Sequence, residues 1–245
     1  MNTIDAYSHD DVDPRIFYSP TNVTNCDEVI DFACACKESC QPNTCLCLQY
    51  SGHQLNYNHF KIVPKNSLLF ECRRSCACPP NCGNKLVQTG PRNDLVTKNF
   101  GQKGLGLVSQ RPIGKGTFVC EYAGEIITKE TAERRSAKDL HNYILHVFEH
   151  FNNKKEKVTI IDPTAIGNIG RYLNHSCQPN LSMHLIRCED WTPHVALFAN
   201  TDIEPNVELT FDYGQGQEQE VSNGETRDCL CGSDECRKVL PSHQL

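Results

Sequence analysis

Between residues 104 and 211 the apolar side chains come in short bursts bounded by glycine, proline, asparagine and lysine. The bursts are GLGLVSQ (104–110), TFVCEYAGEII (117–127), NYILHVF (142–148), KVTIID (157–162), LSMHLIR (181–187), HVALFA (194–199) and VELTF (207–211). Strand-length runs rich in β-branched and aromatic residues, separated by turn formers, predict a mostly β fold. One stretch, TKETAERRSAKDL (128–140), reads instead as a helix, with Thr128 as its N-cap. FNNKKEK (151–157) predicts a solvated hairpin turn, and GQGQEQEVSNGETRD (214–228) a polar connector. No internal repeat or heptad pattern is visible.

The flanks have a different texture. Residues 1–31 are rich in Asp and Asn and weakly patterned, and read as an extension. Residues 32–90 hold five cysteines in CACKESCQPNTCLC (34–47) and four in CRRSCACPPNC (72–82), with few apolar residues besides. A segment so poor in core formers needs metal or disulfides to hold it. The expected division is therefore 1–31 extension, 32–90 cysteine block, 91–213 β domain, and 214–245 connector with a last cysteine set.

Composition decides between metal and disulfides. The N-terminus MNTIDAYSHDDVDPR is acidic and has no apolar run, so no secretion signal is expected. No window approaches eighteen apolar residues, so no membrane segment is expected either. The sixteen cysteines should then meet a reducing compartment, where disulfides rarely persist. The net charge of −6 argues against a strong grip on nucleic-acid phosphates and suits a basic peptide partner.

The nine thiols are Cys34, Cys36, Cys40, Cys45, Cys47, Cys72, Cys76, Cys78 and Cys82. Disulfides leave one over, and so do separate four-cysteine sites. A shared cluster leaves none, because six terminal and three bridging thiolates fill the tetrahedra of three zinc ions. Two four-cysteine sites with an idle thiol is the rival arrangement. Cys229, Cys231 and Cys236 form a further set that needs a fourth ligand, for which Cys177 is the candidate. Cys26, Cys120 and Cys188 read as small core residues.

Four stretches, KGLGLV (103–108), EYAGE (121–125), GNIGRYLNHSCQPN (167–180) and ELTFDYG (208–214), resemble the SET-domain protein lysine methyltransferases. The nine-cysteine block resembles a pre-SET domain and the last cysteine set a post-SET domain. Together they are similar to the suppressor-of-variegation class of histone H3 lysine-nine enzymes. The resemblance spans roughly residues 30–240. It implies small curved sheets with a knot-like C-terminal threading, a three-zinc pre-SET cluster, a single post-SET zinc, and S-adenosylmethionine as methyl donor. It also implies the histone H3 tail as substrate, contact with chromatin through partner proteins rather than sequence-specific nucleic-acid binding, and a place in the nucleus on chromosomes.

By the same resemblance, Lys103, Gly104, Leu105, Gly106, Tyr143, Arg171, Asn174 and His175 surround the cofactor. Tyr122 and Tyr213 supply catalytic hydroxyls, and Phe211 sets the methyl count at two or three. The chemistry needs alignment and a neutral amine rather than paired acids, so Glu208 and Asp212 read as structural. Trp191 reads as a loop anchor. The chain departs from many relatives in Leu105 for a tryptophan, in Ile144 and Leu145, and in the run after Tyr213. Histone H3 lysine thirty-six, a non-histone protein, and a catalytically silent tail-binding module are the alternatives.

Overall fold

The computed structural model describes residues 16–24, 28–51, 68–137, 143–150, 156–214 and 227–241. Its strands in chain order are β1 (Phe17–Tyr18), β2 (Leu69–Phe70), β3 (Leu95–Asn99), β4 (Leu105–Ser109), β5 (Phe118–Tyr122) and β6 (Gly124–Ile127). They continue with β7 (Leu145–His150), β8 (Glu156–Gly167), β9 (Asn174–His175), β10 (Leu181–Arg187), β11 (His194–Ala199) and β12 (Glu208–Phe211). Two helices, α1 (Leu46–Tyr50) and α2 (Lys129–Ser136), interrupt them. The strands form three four-stranded sheets: β1, β8 and β6 with β7 also on β8; β2–β10–β11–β5; and β3–β4–β12–β9.

The second sheet explains why HVALFA is apolar at nearly every position. Successive side chains of a strand point to opposite faces. Val195, Leu197 and Ala199 enter the main core beside Leu107, Val119, Ile161 and Leu209, while Ala196 and Phe198 pack against the cysteine block with Phe118 and Ile186. A strand covered on both faces has no polar side to show. The sheet is thus the wall shared by the β domain and the cysteine block.

Two sequence expectations need correction. TFVCEYAGEII is not one strand: the chain leaves β5 at Tyr122 and enters another sheet as β6 at Gly124. A Cβ on Gly124 would sit 2.6 Å from the carbonyl carbon of Asp162, so only glycine allows this crossing so close to β8. KVTIID is the first half of a longer strand, which runs on through Pro163 to Gly167 with a register shift opposite Gly124 and Glu125. Strands β1, β2, β3 and β9, helix α1 and the short 3₁₀ turns Val87–Thr89, Gly101–Lys103 and Ile169–Tyr172 went unread.

The helix is where the sequence puts it. Thr128 Oγ1 accepts from Thr131 N at 3.3 Å, and α2 ends at Ser136. The N-terminal stretch is less detached than its texture suggests. β1 pairs in parallel with β8, and Asn22 reaches the Gly124 N–H at 3.1 Å and the Pro193 carbonyl at 3.2 Å. Cys120 and Cys188 are buried, and the half-buried Trp191 meets Phe70 edge-on at 5.7 Å. Cys26, the hairpin tip at 151–155 and the connector at 215–226 lie outside the described residues.

Candidate active site and metal centres

Helix α1 and the turns around it fold the cysteine block inward. The sulfurs form three four-thiol groups: Cys34, Cys47, Cys72 and Cys76; Cys34, Cys36, Cys40 and Cys45; and Cys34, Cys40, Cys72 and Cys78. Cys34, Cys40 and Cys72 are the shared members, and their sulfurs make a triangle with sides of 3.8, 3.9 and 3.6 Å. Three thiols shared in this way suit bridging positions. Cys47 with Cys76, Cys36 with Cys45, and Cys78 with Cys82 then complete three tetrahedra. Cys82 stands outside the three groups, but it is buried beside Cys40 and Cys78. This geometry favours the shared cluster over two separate sites.

The donor chemistry fits zinc. Burial pushes Cys45 and Cys78 up to about 12 each, so dications would supply what stabilises their thiolates. Nine thiolates on three dications leave the cluster anionic. Arg73 is placed to answer this: it is 1% exposed, its guanidinium lies 4.3 Å over the Phe32 ring, and it faces Cys47. Its three guanidinium nitrogens have no hydrogen-bond partner among the described residues. At the other end of the chain, Cys177, Cys229, Cys231 and Cys236 bring four sulfurs within 4.8 Å of one another.

The catalytic candidates meet where β9 runs parallel to β12, with Asn174 opposite Thr210 and His175 opposite Phe211. Phe211, 1% exposed, sits between Tyr122 and Tyr213, with ring centroids 5.8 and 4.9 Å away. Tyr122 donates its hydroxyl proton to the Tyr143 carbonyl at 2.6 Å, and Tyr213 donates to the Leu173 carbonyl at 2.8 Å. Burial pushes both phenols above their ordinary range. They remain neutral, with their protons committed to backbone.

His175 holds this corner together. Burial pushes it down to about 4, so the imidazole is neutral. Its Nδ1 accepts the Tyr213 N–H at 3.2 Å, which leaves the proton on Nε2, 3.3 Å from Cys177 Sγ. The end of β12 and the candidate metal ligand Cys177 are thus joined through one ring.

The cofactor candidates divide into two groups. Gly104, at φ +78°, turns the chain into β4, and a Cβ on Gly106 would lie 2.6 Å from the Phe100 ring and 2.9 Å from Asn174 Nδ2. Asn174 Nδ2 donates to the Leu105 carbonyl at 3.3 Å and to Glu208 at 2.9 Å. Lys103 pairs with the same Glu208, whose carboxylate thus links Lys103 and Asn174. Beside this loop opens a cavity of about 450 Å³, walled by Phe100, Lys103, Cys229, Leu230, Ser233 and Lys238 among others. That volume suits a small-molecule site. Leu105 and Leu230, 49% and 45% exposed, offer apolar surface to a flat ring.

Arg171 and Tyr143 lie outside that wall. Arg171 stacks 4.2 Å over the Tyr143 ring and is 7% exposed, and its Nε has no partner among the described residues. A buried donor left over in this way suits a carboxylate. The sequence reading missed Phe100 and Arg237. Phe100 could have been found as the aromatic before the glycine turn, and Arg237 as the cation after the last cysteine.

A family model of the SET domain matches residues 104–214, and one of the Pre-SET motif matches residues 1–85. The chain is 40% identical over 214 residues to the probable histone-lysine N-methyltransferase set-23 of Caenorhabditis briggsae, covering 85% of this chain and 86% of that protein. It is 36% identical over 223 residues to the H3 lysine-9 specific histone-lysine N-methyltransferase SUVH1 of Nicotiana tabacum, covering 84% of this chain and 30% of that protein. Among solved structures, the methyltransferase domain of human SETMAR superposes with a TM-score of 0.81 at 34% identity, over 94% of this chain and 90% of that chain. KRYPTONITE in complex with mCHH DNA, H3(1-15) peptide and SAH superposes with a TM-score of 0.71 at 27% identity, over 94% of this chain and 49% of that chain.

Proposed function

The chain belongs to the SET-domain histone-lysine N-methyltransferases of the suppressor-of-variegation type, and from that premise we propose that it methylates lysine nine of the histone H3 tail to the di- or trimethyl state. The lysine-nine wording in the tobacco relative's name supports the target, and the H3 peptide in the KRYPTONITE structure supports the substrate. The same complex carries SAH, what remains of S-adenosylmethionine after its methyl has left. S-adenosylmethionine supplies an electrophilic methyl group on a sulfonium. In this reading Asn174, the Gly104–Gly106 turn and the cavity beside it hold the adenosyl end, while Arg171 and Tyr143 face the methionine end.

The observation that carries the mechanism is the pair of committed hydroxyls. Tyr122 and Tyr213 each give their proton to a backbone carbonyl, so toward a substrate each oxygen can only accept. Two acceptors converging on a neutral lysine amine bind its N–H bonds and leave its lone pair facing the methyl group. Alignment of this kind lowers the barrier without a general base. The amine must arrive neutral although its solution pKa is about 10.4, and burial in an apolar channel lowers it. Phe211 lines the space between the two hydroxyls and adds no polar atom there, so room remains for a second and third methyl.

The substrate reading is tested by incubating zinc-loaded protein and S-adenosylmethionine with two altered H3 substrates. One has arginine in place of lysine nine, the other arginine in place of lysine thirty-six. Methylation lost with the first and kept with the second supports the proposal; the reverse assigns lysine thirty-six. A substrate in the H3 tail supports a reading in which the protein acts on chromatin in the nucleus, recruited through partner proteins.

A further inference from the structure

We infer that Arg237 is a positioning residue that ties the C-terminal metal site to the end of the catalytic strand. The inference rests on the reading of Tyr213 as an amine-orienting residue. Arg237 directs two donors at Cys177 Sγ, its backbone N–H and its Nε, each at 3.4 Å. Its Nη2 donates to Asp212 Oδ1 at 2.7 Å and lies 3.5 Å from His175 Nε2. One side chain therefore touches a metal-ligand sulfur, the carboxylate between Phe211 and Tyr213, and the ring that receives the Tyr213 N–H.

Charge and shape both favour arginine here. The Cys177 thiolate and the Asp212 carboxylate are two anions brought together from different segments, and they repel unless a cation lies between them. A guanidinium presents separate N–H groups in a fixed fork, so it can bind both at once. Asp212 Oδ1 also accepts the Gly214 N–H at 3.0 Å, which closes the turn directly after Tyr213. Wherever Arg237 holds Asp212, it holds the backbone that aims the Tyr213 hydroxyl. In a reaction driven by alignment, a displacement of about 1 Å can cost on the order of 10²-fold in rate.

The test compares wild type with Arg237→Ala and Arg237→Lys by zinc content, by amide hydrogen exchange, and by steady-state kinetics on H3. In Arg237→Ala the amides of Tyr213 and Gly214 should exchange at least tenfold faster, with those of His194–Ala199 unchanged. The value of kcat should fall about tenfold or more with KM for the cofactor within about twofold and zinc content equal to wild type. Millimolar guanidinium should restore part of the rate in this variant and none in wild type, and Arg237→Lys should fall between the two. Unchanged exchange and kcat would overturn the inference. So would a rate that falls only in step with lost zinc and returns when zinc is added, since Arg237 would then serve the metal site alone. Amide exchange needs no substrate, so the link can be read even if H3 proves the wrong target.

Discussion

The hydroxyl of Tyr213 gives its proton to the carbonyl of Leu173 at 2.8 Å, which fixes what that oxygen can do for a substrate. It accepts, and with its acidity suppressed by burial it does not act as a base. Tyr213→Phe should therefore lower kcat by roughly 10²-fold, the scale for removing one preorganised polar group. The pH–rate profile should keep the same inflection, because that inflection belongs to the lysine amine of the substrate. An inflection that moves or disappears in Tyr213→Phe would mean that the phenol takes the proton.

Phe211 is packed between Tyr122 and Tyr213. Phe211→Tyr adds a hydroxyl among two others and creates a polar niche able to hold a water where an added methyl must turn. Mass spectrometry of the product should show the distribution collapsing toward monomethyl lysine while the first transfer continues. A variant that still makes trimethyl lysine at the wild-type rate would show that another residue sets the count.

The two metal centres differ in exposure. Three of the four cysteines in the C-terminal set are only partly buried, against two of nine in the N-terminal block. A chelator should therefore draw zinc in two phases, one ion before three. Activity should disappear with the first phase, since Cys177 lies one ring away from Tyr213. Loss of fold, followed by circular dichroism, should come only with the second. Release of all four ions in one phase would contradict this ranking.

His194 Nδ1 lies 2.9 Å from Glu121 Oε1 in the shared wall. Burial alone would depress its pKa, but the Glu121 carboxylate outweighs it and the net shift is upward. A raised folded pKa gives stability that is fully present below the unfolded value near 6.5 and is lost as pH rises through the folded value. Thermal melts of wild type and His194→Gln should thus differ most near pH 6 and converge at alkaline pH. A gap that stays constant across this range would mean that the imidazolium adds nothing.

Much of this was legible before any fold was in view. HVALFA and LSMHLIR announce strands because the sheet they form is buried, and Thr128 announces a helix because its hydroxyl caps one. The nine thiols announce metal by their number and spacing, and the three sulfurs common to the four-thiol groups favour sharing. What sequence does not carry is contact between distant segments. Gly124 reads as one residue within a single apolar run, although its lack of a Cβ lets β5 and β6 part into different sheets. Asn22 sits in a weakly patterned extension, yet it ties that extension to Gly124 and Pro193. Arg237 is one more cation until the fold sets it between Cys177 and Asp212.

The most direct test of the account is mass spectrometry of recombinant histone H3 after incubation with zinc-loaded protein and S-adenosylmethionine, with Asn174→Ala alongside. Asn174 joins the glycine turn to Glu208 at the expected cofactor site. The account predicts di- and trimethyl lysine nine with wild type and at least a 10²-fold loss with the variant. Unmodified H3 from a wild-type protein that is folded, zinc-loaded and bound to S-adenosylmethionine would contradict it.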